Sequence, residues 1–203
     1  MTHTDLQPAT LVLASSSLRR QQLLQGLGLE FRIIVSGVTE EVPGELQPQT
    51  LVEVLAKRKA EHVRAKLIEE QAEQSVVLAA DTVVVLDGVV LGKPVDKADA
   101  VRTLEALQGK EHTVYTGVCV TGTASSKNLV RHSATRVRMR PLSTDRIVRY
   151  VETGEPMDKA GSYGIQGLGS TLIESIDGDY FTVVGLPLAL TTDMLEEFGI
   201  SIW

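Results

Sequence analysis

The sequence predicts an α/β domain built on a mixed sheet flanked by helices and folded as two lobes with a central cleft. Short apolar runs of strand character are interspersed with amphipathic segments of helical period, in an order too irregular for a purely parallel sheet. No internal repeat, low-complexity tract or linker divides the chain, and 203 residues with 43% hydrophobic side chains can fill one sizeable core. Residues 1–10, MTHTDLQPAT, read as a flexible polar leader, and residues 11–203 as a single domain.

Composition narrows the function classes. A formal net charge of −6 argues against a nonspecific grip on nucleic acid, whose affinity rests on many cations, so any phosphate ligand must be met by a local cluster. No basic segment followed by an apolar stretch opens the chain, and no apolar run approaches the span of a bilayer, so neither secretion nor membrane association is expected. The one cysteine, Cys119, lies in an apolar alternation, which fits a small buried side chain in a reducing cytoplasm.

Taken in order, LVLASSSLRR opens the domain. Residues 11–14 read as a buried strand and the segment from Leu18 as a helix with a glycine stop, which puts Ser15, Ser16 and Ser17 at the turn between them. A helix N-terminus offers unpaired N–H groups and the positive end of its dipole, and the hydroxyls add donors beside them. Arg19 and Arg20 sit in the first helical turn, where cations are unfavourable unless an anion compensates them. The alternative is a serine cap followed by solvated arginines.

FRIIVSG, residues 31–37, reads as a second strand, followed by an acidic loop with Glu40 and Glu41. The longest helix is expected over residues 50–71, with Val52, Ala56, Ala60, Val63 and Leu67 as its apolar stripe. Lys59 borders that stripe and cannot point fully away from the body as Lys66 can, though a snorkelling lysine would look the same. SVVLAADTVVVLDGVVLGKP reads as a central hairpin turning at Asp87-Gly88. Asp81 interrupts its apolar run, and a carboxylate there is costly to bury without a charge partner or a metal. The turn at Gly92-Lys93-Pro94 carries Lys93 back toward it.

Residues 96–109 read as a capped amphipathic helix, and EHTVYTGVCVTG and NLVRHSATRVRMRPL as two long strands. Arg136, Arg138 and Arg140 share one strand face without interleaved aromatics, which favours a solvated or salt-bridged ladder over a nucleic-acid surface. STDRIVRYVETG is a further capped helix. The loop EPMDKAGSYGIQGLGS brings backbone close to something, and its Gln166 carries donors and an acceptor that suit the edge of a base or amide. TLIESIDGDYFTVVGLP reads as a hairpin around Asp177-Gly178-Asp179, and PLALTTDMLEEFG as the closing helix.

Four cations from separate segments, Arg19, Arg20, Lys59 and Lys93, stand out in an acidic chain, and with Ser15, Ser17 and Asp81 they suit a polyphosphate and a metal ion. LASSSLRRQQLL, LAKRKA, AADTVVVLDGVVLGKP and DKAGSYGIQGLG together resemble the Maf family of nucleoside triphosphate pyrophosphatases, from about Leu11 to the last helix. Leu18 departs from the proline common in that first motif. The resemblance implies a fold like that of the inosine-triphosphate pyrophosphatases, a divalent metal (Mg²⁺ or Mn²⁺), a homodimer, and hydrolysis of a nucleoside triphosphate between its α and β phosphorus atoms. It carries roles onto Ser15, Arg19, Arg20, Glu40, Lys59, Asp81, Thr82, Lys93 and Gln166. Asp81 matches the proton acceptor, while Arg19, Thr82 and Gln166 match positions tied to substrate choice; a hard metal ion prefers carboxylate oxygens and phosphates, and Asp81 and Glu40 are the carboxylates expected to hold it. Thr82 with Gln166 resembles the members that act on dTTP and UTP. The same reaction on a methylated guanine nucleotide, or a nucleotide-binding regulator with little turnover, are the alternatives.

Overall fold

In the computed structural model, which describes residues 9–39, 41–42, 44 and 46–203, the apolar run expected at the centre of the sheet forms the long strand β3 (Ser75–Leu86). To one side lie β1 (Thr10–Leu13) and β2 (Arg32–Ile33), both parallel to their neighbours. To the other lie β5 (Glu111–Gly122), β6 (Asn128–Met139) and β7 (Ile173–Asp177), all antiparallel. The seven-stranded sheet has the order β2-β1-β3-β5-β6-β7, and β4 (Val89–Leu91) pairs with the far end of β3. Asp87 at φ 50° and Gly88 at φ 80° supply the left-handed pair that a two-residue hairpin turn needs.

Helices cover both faces. Alternation along β3 sends Val77 and Ala79 toward α2 (Pro48–Glu69), where they pack on Ala56, Ala60 and Val63. The opposite face splits in two. Val76, Leu78 and Ala80 pack with Leu24 of α1 (Leu18–Gly26) and Met194 and Leu195 of α6 (Leu188–Glu196). Val84 and Leu86 pack with Leu104 and Leu107 of α3 (Lys97–Leu107) and Ile147 and Val151 of α4 (Thr144–Glu152). These two clusters are the cores of the two lobes. Among the described residues no helix is long and apolar enough to cross a membrane.

The cleft follows from strand lengths. β1 pairs with β3 only over Ser75–Leu78 and β4 only over Val84–Leu86, so among the described residues no strand covers that edge of β3 in between. Asp81 and Thr82 lie in the gap. As successive strand residues they point to opposite faces, yet both line the same cleft through the open edge.

Three expectations need correction. The second strand is only two residues long, because β1 ends at Leu13 and leaves it no partner; Ile34 N–H still reaches the Leu13 carbonyl at 3.1 Å, and residues 35–38 go on to line the cleft. The hairpin expected around Gly178 has no returning strand. Asp179 caps a short helix, α5 (Tyr180–Val184), accepting from Thr182 N–H at 2.6 Å, and the cap overrides the strand propensity of Tyr-Phe-Thr-Val-Val. Thr10, assigned to the leader, already belongs to β1 and pairs with Ser75.

Candidate active site

The cleft holds about 770 Å³, within the roughly 300–1,000 Å³ usual for small-molecule sites. At its inner end Lys59 Nζ donates to Asp81 Oδ1 at 2.5 Å, with both side chains largely buried. Lys59 reaches inward because α2 lies flat on the sheet, so a lysine bordering its apolar stripe meets the face of β3 from which Asp81 projects. The charge partner that a buried Asp81 was expected to need is therefore Lys59 of α2.

At the start of α1, which also lines the cleft, Ser17 caps the helix through a 3.5 Å bond from Arg20 N–H, which is the bland reading of that serine. Arg20 turns back under the helix. Its Nε donates to the Gly185 carbonyl at 2.8 Å, Nη1 to Ser15 Oγ at 3.2 Å and Nη2 to Thr82 Oγ1 at 3.1 Å. It therefore ties the serine turn, β3 and the end of α5 together while bringing positive charge to the cleft. Arg19 instead reaches across to the other lobe, where Nη1 meets Asp158 Oδ2 at 2.8 Å. Lys93 lines the cleft wall as an exposed side chain and forms no ion pair with Asp81. Gln166 also lines the cleft and is half-buried. Glu40, the second carboxylate assigned to a metal, lies outside the described residues.

The sequence reading missed a group in EPMDKAG. Asp158 bridges Arg19 and Lys159, whose Nζ lies 2.6 Å from Asp158 Oδ1 and also donates to the Glu155 carbonyl at 2.5 Å. Burial works against the Asp158 charge, but bonds from Lys159 and Arg19 outweigh it and hold the carboxyl below its usual range. Glu155 organises the glycine-rich loop. Oε1 accepts from Gly169 N–H at 2.8 Å and Tyr150 OH at 2.9 Å, and Oε2 from Leu168 N–H at 2.9 Å. Desolvation raises its pKa, yet these donors and the Lys159 charge leave it lowered. Lys159 is a cation in the glycine-rich segment beside Gln166, which is the signal that could have found it.

The other sequence expectations resolve as structure. Cys119 is buried, and desolvation pushes its thiol up to about 12, so it is inert. The arginine face of β6 is a ladder of pairs, Arg136 with Asp177 and Arg138 with Glu174, and Arg140 donates to the Thr171 carbonyl.

Comparison with known proteins identifies the family. The chain is 53% identical over 192 residues to a dTTP/UTP pyrophosphatase of Pelotomaculum thermopropionicum, covering 95% of this chain and 98% of that one. It is 50% identical over 193 residues to a dTTP/UTP pyrophosphatase of Moorella thermoacetica, covering 95% and 97%. Among solved structures, the Ham1 protein of Staphylococcus aureus superposes with a TM-score of 0.54 at 14% identity over 93% of this chain and 99% of that one, a likeness of fold. Residues 10–198 match the family of Maf-like proteins, and the chain belongs to that family.

Proposed function

We propose that the cleft hydrolyses nucleoside triphosphates, dTTP and UTP ahead of others, between the α and β phosphorus atoms to release a nucleoside monophosphate and pyrophosphate. The observation that carries this reading is the Lys59–Asp81 pair, set in the open edge of β3 in a cleft also lined by Arg19 and Arg20 of α1 and by Lys93. The names of the relatives at 53% and 50% identity support the substrate class.

Water attacks the α-phosphorus, a new P–O bond forms, the bond to the bridging oxygen breaks, and that oxygen leaves with its electron pair on pyrophosphate. Asp81 orients the water and takes its proton. Charge grows on phosphoryl oxygens, so fixed cations in a recessed site lower the barrier more than covalent chemistry would. Lys59, Lys93 and Arg19 supply that field, with Arg20 behind them.

A hard divalent cation fits the donor set, since Mg²⁺-type ions take one or two carboxylates together with substrate phosphates. Asp81 would hold it, with Glu40 as the second carboxylate of the sequence reading; when bound, it neutralises phosphate charge. The buried single cysteine, without a disulfide, supports a reducing cytoplasm as the place of action.

The test is product analysis over a panel of UTP, dTTP, CTP, ATP and GTP with Mg²⁺ or Mn²⁺ present. Monophosphate and pyrophosphate are expected, fastest from UTP and dTTP. Diphosphate and orthophosphate as products would overturn the bond assignment, and a leading guanine nucleotide the base assignment.

A further inference from the structure

A run of buried hydroxyls lies behind Thr82. Thr116 stands directly across the β3–β5 ladder from it and is fully buried. Its Oγ1 is 2.9 Å from Thr82 Oγ1 and 2.8 Å from the Thr182 carbonyl oxygen. That carbonyl belongs to the last turn of α5, a helix of 5 residues, where carbonyls lack intrahelical partners.

Proton counting fixes the direction of the chain. A carbonyl can only accept, so the single proton of Thr116 goes to Thr182. In the contact between the two threonines Thr82 must then be the donor. On its other side Thr82 Oγ1 accepts from Arg20 Nη2 at 3.1 Å. The Thr82 proton thus points into the protein, and its oxygen faces Arg20 as an acceptor. Arg20 is held in plane by the same acceptor together with Gly185 and Ser15.

We propose that Thr116 is a positioning residue for substrate choice: by accepting a hydrogen bond from the Thr82 hydroxyl, it fixes the rotamer of Thr82 and the plane of Arg20 that the substrate meets. Thr82 therefore acts on substrate through shape and acceptance, never as a donor. The inference rests on the cleft being the nucleotide site.

The experiment compares relative kcat/KM values across the nucleotide panel for wild type, Thr116→Val and Thr116→Ser, and repeats Thr116→Val in a Thr82→Val background. Relative values within one preparation do not depend on how much of it is folded. Thr116→Val is expected to change the ratio between the best and third-best nucleotide by about five- to tenfold, the effect of one hydrogen bond, while Thr116→Ser keeps the wild-type profile. With Thr82→Val already present, Thr116→Val should leave the profile unchanged, because nothing remains for it to orient. A uniform loss on every nucleotide would make Thr116 merely structural and overturn the proposal. So would a profile change of the same size in both backgrounds. A wild type that turns over nucleotides without favouring pyrimidines sinks the dTTP/UTP reading alone, since the profile comparison holds whichever base leads; no turnover on any nucleotide sinks both.

Discussion

Gly117 faces Asp81 directly across the β3–β5 ladder, and a methyl group placed on it would lie 2.3 Å from the Val52 carbonyl of α2. The helix backbone therefore rests on the sheet at this point without a side chain between them. Lys59 lies two turns further along the same helix, so the 2.5 Å contact between Lys59 and Asp81 depends on that close approach. Gly117→Ala is expected to lift α2 and cost about 1–3 kcal/mol or more, since the obstacle is backbone. The denaturant midpoint should fall, and turnover should fall further than the loss of folded protein explains. An alanine variant with wild-type midpoint and rate would show that the helix–sheet spacing has slack.

Asp81→Asn keeps the shape of the side chain but removes its charge and basicity. Turnover should drop by about 10² or more, as for a lost general base, while nucleotide binding survives. Near-normal turnover of a folded Asp81→Asn protein would remove Asp81 from the mechanism.

Lys59→Ala and Lys93→Ala should each slow hydrolysis far more than Lys66→Ala. Lys66 is the internal control: it sits on the same helix as Lys59 but is half-exposed and pairs only loosely with Glu70, at 3.9 Å. Equal effects from all three would mean that the charges act as a diffuse field.

His112 gives a pH-dependent term in stability. It is buried on β5 with Nε2 2.6 Å from the Tyr163 hydroxyl, and burial lowers its pKa from 6.5 to about 4. Between those values the unfolded chain binds a proton that the folded protein refuses, so stability rises with pH across the window. The contribution is complete above pH 6.5 and lost progressively toward pH 4, up to about 3 kcal/mol. Glu155 and Asp158, both lowered, contribute fully above their ordinary values of 4.5 and 3.8 and lose those contributions as pH falls below them, so they add to the slope only at the acid end of the range. Urea denaturation at several pH values between 4 and 7.5 should show a slope that His112→Phe flattens; an unchanged slope would place the titration elsewhere.

What the sequence made legible was whatever repeats locally. The period of Val52, Ala56, Ala60 and Val63 announced α2, and a carboxylate inside the apolar run of β3 announced Asp81, because one residue of the wrong polarity in a buried strand demands an explanation. Lys59 was visible for a similar reason. What stayed hidden depends on contacts distant in sequence. The role of Thr116 depends on Thr82 and Thr182, the need for glycine at 117 on a helix more than fifty residues earlier, and Asp158 on Arg19 at a sequence separation of 139. The helix α5 was misread for a local reason, since β-branched residues after Gly178 look like a strand until the Asp179 cap is weighed.

The last prediction concerns how the base is read. Uracil and thymine present an N3–H donor beside a carbonyl acceptor, and the Gln166 amide can accept from the first while donating to the second. Cytosine reverses both groups, so a glutamine held in one orientation would face two mismatches, each costing about 1–3 kcal/mol when buried. That argument needs the orientation to be held, and Glu155 is placed to hold it. Its carboxylate collects the N–H groups of Leu168 and Gly169 just after Gln166, and a Cβ on Gly167 would lie 2.7 Å from its Oε2. Tyr150 OH completes the set at 2.9 Å. An amide cannot accept from all three, because its NH₂ group must meet one of these donors. Glu155→Gln should therefore loosen the loop and reduce the preference for UTP over CTP by about tenfold, with a smaller effect on the rate with UTP itself. Gln166→Glu should erode the same preference directly, since a carboxylate accepts but cannot donate. If Glu155→Gln kept the wild-type preference while Gln166→Glu lost it, the loop would be held by its own 3-10 turns and not by Glu155. If Gln166→Glu kept it, Gln166 would not be the residue that reads the base.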